Sequence, residues 1–287
     1  GAAGADTLLG GDGDDILIGG ADGDSLQGGA GLDTVSYAGS LTAVQINLLT
    51  SVATGGDATG DTFSSIERVI GTDHDDTLIG DNLDNQLTGG AGNDTLAGLG
   101  GGDVLTGGAG TDTADYSASL SAVTVDLAAG TGSGGDAQGD TLSEIENLLG
   151  SASGDVLTGD ANANTLDGGG GNDTLQGGGG ADTLIGGAGT DTASYAGAAG
   201  GVSVSLASGT GTGSDAQGDT LAGIENLTGS ANADTLTGDA GVNVLDGGAG
   251  DDTLIGLGGA DVLIGNGGTD TVDYSASSVG VDVDLLL

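Results

Sequence analysis

Gly10-Gly11-Asp12-Gly13-Asp14-Asp15-Ile16-Leu17-Ile18 decides the fold, because a second unit of the same layout opens at Gly19. Kept in strict phase, such nine-residue units open at residues 1, 10, 19 and 28, then at 71, 80, 89, 98 and 107. They return at 150, 159, 168, 177 and 186, and again at 229, 238, 247, 256 and 265. All nineteen begin with Gly; sixteen have Asp at the sixth position and three have Asn. Positions one to six hold residues that tolerate positive φ and so permit a tight turn. Positions seven to nine, as in Thr95-Leu96-Ala97, form a short strand whose middle side chain points inward.

A longer period lies above the nonapeptide. Tyr37, Tyr116, Tyr195 and Tyr274 follow one another at intervals of 79 residues. Arrays occupy residues 1–36, 71–115, 150–194 and 229–273; spacers occupy 37–70, 116–149, 195–228 and 274–287, with the first array and last spacer shorter than the rest. Each spacer carries an alternating apolar run (Val44-Ile46-Leu48, Val123-Val125-Leu127, Val202-Val204-Leu206, Val281-Val283-Leu285) that predicts a strand with one buried face. Glu67, Glu146 and Glu225 fall at position six of a degenerate unit that ends each complete spacer. The spacers therefore read as three further strand passes, eight per module with the array, in one continuous solenoid.

Composition narrows the classes. The chain has 287 residues with 67 Gly, no Pro and no Cys, which excludes collagen and disulfide or thiolate-metal scaffolds. Five aromatic residues leave little volume for a thick interior. Asp and Glu number 43 against one basic residue, Arg68, for a formal charge of -42. That balance argues against nucleic acid and anionic membranes, and no stretch is apolar enough to suggest membrane insertion.

The charge also implies a partner. Two nonapeptides make one coil, and coils stack at the sheet spacing of about 4.8 Å. Sixth-position carboxylates of successive coils then repel by about 0.8 kcal/mol in water and about 3 kcal/mol at an effective dielectric of 20. Repeated along both edges, this outweighs an interior of one Leu per pass, whereas a divalent ion in each gap turns repulsion into attraction. Ca²⁺ suits hard carboxylate and carbonyl oxygens in irregular geometry; Mg²⁺ demands a tighter octahedron, and Zn²⁺ wants His or Cys.

Units such as Gly89-Gly90-Ala91-Gly92-Asn93-Asp94-Thr95-Leu96-Ala97 and Gly247-Gly248-Ala249-Gly250-Asp251-Asp252-Thr253-Leu254-Ile255 resemble the RTX, or hemolysin-type, calcium-binding repeat, a nonapeptide already known as a Ca²⁺-binding β-helix motif. The resemblance implies an all-β, right-handed parallel β-roll (a β-solenoid), with on the order of a dozen Ca²⁺ ions held between turns two units apart. It implies carboxylate ligands from Asp6, Asp15, Asp24, Asp33, Asp76, Asp94, Asp103, Asp112, Asp155, Asp173, Asp182, Asp191, Asp234, Asp252, Asp261 and Asp270. It also implies turn carbonyls near Gly11, Gly13, Gly90, Gly92, Gly169, Gly171, Gly178, Gly180, Gly248 and Gly250. Asn85, Asn164 and Asn243 depart from the pattern and, with Glu67, Glu146 and Glu225, are expected to make weaker or differently built sites.

The pairs Asp57/Asp61, Asp136/Asp140 and Asp215/Asp219 leave two readings open, a further cation site or a plain turn. His74 replaces a turn Gly and has no nucleophilic partner, so it reads as a surface residue, as does Arg68. No helix follows any Gly-x-Gly-x-x-Gly match, and no catalytic constellation emerges; the chain is expected not to be an enzyme. The resemblance implies type I secretion of an unfolded bacterial chain that folds on meeting Ca²⁺ outside the cell. The leading expectation is a stalk or surface-layer rod of an adhesin-like protein, with copies of itself or an extracellular polysaccharide as further partners. The alternative is an export and folding module of a secreted protease, lipase or polysaccharide epimerase.

Overall fold

The computed structural model describes residues 1, 3–277 and 280. It divides into two compact units, Gly1–Leu157 and the chain from Thr158 onward. Apart from three single-turn 3-10 helices at Gly56–Ala58, Gly135–Ala137 and Ser214–Ala216, every regular element described is a β-strand.

In the first unit consecutive nonapeptides of an array alternate between two sheets, so each strand lies parallel to the one two units away; Thr7–Asp12, Ser25–Ala30 and Thr62–Ser64 form a three-stranded sheet of their own. One sheet stacks Arg68–Ile70, Gln86–Ala91 and Val104–Ala109; the other stacks Thr77–Ile79, Thr95–Ala97 and Thr113–Asp115. The register places Leu78 beside Leu96, Leu96 beside Ala114, and Leu87 beside Leu105. The second unit repeats the scheme, with Leu166 beside Leu184 in one sheet and Leu227 beside Leu245 in the other. These inward residues are buried, as the period-two reading requires, while the neighbours at positions seven and nine stay more open. The all-β parallel roll anticipated from the nonapeptide is therefore the fold.

The spacers depart from the expected three alternating passes. Each complete spacer contains four strands; in the second and third the first three share one sheet, and in the first Gln45–Asn47 pairs with Val52–Thr54 while Thr62–Ser64 lies beside Ser25–Ala30. In the second spacer Thr124–Asp126 runs antiparallel to Thr131–Ser133, which in turn runs antiparallel to Thr141–Ser143. Only the fourth strand, Asn147–Leu149, crosses to the opposite sheet, where it lies parallel to Thr113–Asp115. A spacer thus adds two half-coils, giving seven per module with the array's five rather than eight. The odd count puts successive hairpins of the first unit on opposite sheets: Gln45–Asn47 joins the sheet of Thr77–Ile79, whereas Thr124–Asp126 joins the sheet of Thr141–Ser143.

The cause is a reversal written into four residues. At Leu127-Ala128-Ala129-Gly130 the Gly130 N–H donates to the Leu127 carbonyl at 3.1 Å, and Gly130 adopts φ +65°. Asp126 starts the turn by accepting the Ala129 N–H at 2.8 Å. Asn47 does the same for Thr50 at 2.8 Å, with Ser51 in the left-handed region at φ 53°. The apolar runs fall where expected: Val44, Ile46, Val123, Val125, Val202 and Val204 are buried. The run Val281-Val283-Leu285 lies outside the described residues.

Each complete spacer begins at a buried tyrosine (Tyr37, Tyr116, Tyr195), two residues after the smaller inward residue of the array's last unit (Val35, Ala114, Ala193). The interior is thus one apolar side chain thick, and its stability should be local. Leu96→Ala, at a fully buried position, is expected to cost about 2–5 kcal/mol and to lower the thermal midpoint of the calcium-saturated chain. Leu120→Ala, at a residue 96% exposed, should change stability by less than about 0.5 kcal/mol in the same measurement.

Candidate metal centres at the sheet edges

The sixth-position carboxylates lie where the turns stack, and one of their oxygens is committed to the fold. Asp94 Oδ1 accepts the backbone N–H of Asp76 at 2.7 Å, and Asp112 Oδ1 accepts that of Asp94 at 2.7 Å. Along the opposite edge Asp103 Oδ1 accepts the Asn85 N–H at 2.8 Å. The same bond ties Asp6 to Asp24, Asp15 to Asp33, Asp173 to Asp191, Asp234 to Asp252 and Asp252 to Asp270. Each bond spans two nonapeptides, so every carboxylate fastens the turn of the coil before it. Charge-assisted bonds of this kind contribute about 1.5–3 kcal/mol each.

The spacers supply the next acceptors of the ladder. Asp61, Asp140 and Asp219 accept the N–H groups of Asp24, Asp103 and Asp182 at 2.7, 2.8 and 2.9 Å. Glu67, Glu146 and Glu225 accept those of Asp33, Asp112 and Asp191 at 2.9, 2.8 and 2.8 Å. Of the three aspartate pairs left open by the sequence, the second member enters the ladder fully buried, and the first stays half-exposed within a 3-10 turn. A signal for this exists: Gly139-Asp140-Thr141-Leu142-Ser143 repeats the Asp-x-Leu-x end of a nonapeptide.

The second carboxylate oxygen has a different fate. In Asp15, Asp24, Asp33, Asp94, Asp103, Asp112, Asp182, Asp191 and Asp252, Oδ2 is buried and has no donor among the described residues. A buried charge left in this state is costly, and a cation is its natural complement. The surroundings fit one. A Cβ placed on Gly10 would stand 2.7 Å from Asp15 Oδ2 and 2.5 Å from the carbonyl oxygen of Gly28, so these two oxygens meet in the space that the missing side chain leaves. The same pairing of Oδ2 with a first-position carbonyl recurs at Gly89 (Asp94 and Gly107) and Gly168 (Asp173 and Gly186). The first-position Gly is thus required for space and not for its φ, and its carbonyl is a donor the sequence reading missed.

The glycines expected to offer carbonyls lie in the same turns. The carbonyls of Gly11, Gly13, Gly90, Gly92, Gly169 and Gly171 face the Cα atoms of Gly29, Gly31, Gly108, Gly110, Gly187 and Gly189 in the next coil. Those of Gly169 and Gly248 also accept ladder N–H groups from Ala188 and Gly267 at 3.0 and 3.1 Å. Gly250 O faces Gly268, and Gly178 and Gly180 adopt the expected positive φ of 88° and 126°. Among the described residues no three Asp, Glu, His or Cys side chains converge on one point. These turns offer carboxylate oxygens beside backbone carbonyls, a hard-oxygen environment of the kind Ca²⁺ accepts, whereas Zn²⁺ prefers His and Cys.

Not every anticipated ligand is placed alike. Asp76, Asp155 and Asp234 have their oxygens engaged inside their own turns, as do Asn85, Asn164 and Asn243. Asp6, Asp261 and Asp270 are half-exposed. His74 is exposed. Arg68 is not the simple surface charge expected: it is half-buried on its strand, and Nη1 donates to the Leu32 carbonyl at 3.5 Å.

With this geometry in place the chain is, by class, a calcium-binding repeat protein of the parallel β-roll type. It belongs to the RTX calcium-binding nonapeptide repeat (4 copies) family, whose model matches residues 1–35, 70–105, 79–114, 140–175, 158–193, 219–254 and 246–276. Two of these matches start at Asp140 and Asp219, the spacer residues that enter the ladder. No curated protein matches the chain. Among the described residues no helix is long and apolar enough to cross a membrane.

Burial sets the electrostatics of the metal-free chain. It lifts the Asp103 carboxyl from its ordinary 3.8 to about 7, with the Asp140, Asp84 and Asp81 charges adding and the Asn85 N–H opposing. Burial likewise lifts Asp94 and Asp182 to about 6. A carboxyl raised on folding stabilises the fold fully below its unfolded pKa, and that contribution is lost as pH rises through the folded value. In chelator, the β signal in circular dichroism is expected to be stronger near pH 4 than at pH 7.5. Saturating Ca²⁺ should remove this preference, since the ion takes the place of the proton. An unchanged chelator signal between the two pH values would count against buried, uncompensated carboxylates.

Proposed function

We propose that this chain is an extracellular structural repeat region, a Ca²⁺-stiffened rod of the kind that serves as a stalk or surface-layer element, folding when it meets Ca²⁺ after export. The observation that carries the reading is the row of buried carboxylate oxygens lacking donors, together with spacers whose strands continue the same sheets and ladder. A flexible linker would leave the last array turns without acceptors; here Asp61 and Glu67 accept the amides of Asp24 and Asp33, and the Glu67 carbonyl accepts the Gln86 N–H of the second array. Export unfolded suits a chain with a formal charge of -42 and no Cys, since self-repulsion opposes folding until divalent ions arrive. Outward rows of Thr, Val and Gln then offer two regular faces to copies of the chain or to a polysaccharide. In the alternative role, as an accessory of a secreted enzyme, the roll would do the same folding work beside a separate catalytic domain.

Because each coil touches only its neighbours, folding should propagate along the stack and rise steeply with Ca²⁺. Circular dichroism at neutral pH is expected to show a cooperative gain of β-structure above a threshold of Ca²⁺. Asp173→Ala and Asp182→Ala should each raise the Ca²⁺ midpoint, and full β signal in chelator at neutral pH would sink the reading.

A further inference from the structure

The same ladder position is completed in two chemically different ways, and the difference follows the residue at position two of the turn. Where Oδ2 has no donor, position two is in the left-handed region: Gly90 at φ 118°, Gly108 at 116°, Gly248 at 90°, and even Leu99 at 68°. Where position two is Thr72, Ser151 or Ser230, its φ is not positive and its own N–H turns back onto the carboxylate. Thr72 gives its N–H to Asp76 Oδ2 at 2.5 Å and its hydroxyl to Oδ1 at 3.0 Å. Val44 adds an N–H to Oδ1 at 2.7 Å. Ser151 with Val123 satisfies Asp155 in the same way, and Ser230 with Val202 satisfies Asp234.

The neighbouring turns use other donors to the same end. The second unit of each of the three later arrays has a neutral Asn whose Oδ1 accepts the position-two N–H of Asp81, Asp160 or Asp239 at 2.6, 2.8 and 2.8 Å. Asn243 Nδ2 donates to the Glu225 carbonyl at 2.8 Å, a positive hydrogen on a carbonyl of the coil before, whereas the buried Asn85 Nδ2 has no partner among the described residues. In the spacers the buried tyrosines donate to the second oxygen: Tyr37 to Asp61 at 2.6 Å, Tyr116 to Asp140 at 2.9 Å and Tyr195 to Asp219 at 3.0 Å.

We propose that each module contains a cation-independent segment, running from the spacer tyrosine through the second nonapeptide that follows, in which hydroxyl, amide and backbone donors stand where Ca²⁺ stands in the later turns. This rests on the calcium reading and divides it. Residues 37–88 and 195–246 hold together without metal and present a preformed edge, onto which the units at 89–115 and 247–273 stack as Ca²⁺ binds. The tyrosine is the keystone, because its hydroxyl reaches the second oxygen of a buried ladder carboxylate 24 residues further along the chain.

Hydrogen exchange read by mass spectrometry on the full chain, in chelator and in saturating Ca²⁺, tests the division. In chelator, peptides from 37–88 and 195–246 should exchange at least about tenfold more slowly than those from 89–115 and 247–273, with both classes protected in Ca²⁺. If 37–88 needs Ca²⁺ as much as 89–115 does, the proposal falls while the calcium reading stands. If both classes are equally protected in chelator, the calcium reading falls and takes the proposal with it. Tyr116→Phe keeps the ring and removes the donor. It should abolish chelator protection of residues 116–149 while leaving their protection in Ca²⁺ intact, and protection unaltered in chelator would remove the tyrosine from its assigned role.

Discussion

The rest of this structure depends on the carboxylate that each coil places against the one before it. One oxygen is spent on a backbone N–H two units earlier, and this bond fixes the stacking of turns that have little else to hold them. The interior cannot do that work alone, since each pass contributes a single inward side chain and nearly all of these are Leu, Val or Ala. Fixing the first oxygen aims the second into a buried space shared with a carbonyl. The ion requirement is therefore a consequence of how the coil is closed.

Seen this way, the turn has one variable part. A Gly at position two lets the chain adopt a positive φ that costs other residues about 1 kcal/mol or more, and the carboxylate oxygen is left for a cation. Leu99 and Leu257 take the same conformation, at φ 68° and 64°, against the preference of their side chains. That strain is tolerated in array turns, where the ladder over-determines the backbone. Thr or Ser at the same position reverses the outcome by supplying two donors from one residue. The arrays thus differ from a uniform repeat at the point nearest each spacer, and the spacer's tyrosine continues the substitution.

Much of this is legible in the amino-acid order. The nine-residue phase fixes the parallel roll, the inward leucines and the edge carboxylates, because Gly, Asp and Leu at those intervals have few other uses. The entry of Glu67 and its counterparts into the ladder also follows from phase alone. The antiparallel excursion was less visible. Its marker, Leu-Ala-Ala-Gly at 127–130, sits inside a chain already full of Gly, where one more turn residue carries little weight. The ladder role of Asp140 was obscured because three strands, and not one, intervene before it. The bond from Tyr116 to Asp140 joins residues 24 apart, an interval that matches neither period.

The ladder bonds all run the same way, from an amide in an earlier coil to a carboxylate in a later one. A stack closed like this has a head and a tail that are not alike: one terminal layer offers acceptors, the other donors. Two such stacks meeting in tandem find complementary partners, whereas two meeting face to face bring carboxylate against carboxylate. Growth by adding coils is therefore vectorial, and each new coil enters a lattice whose final layer is already shaped to receive it.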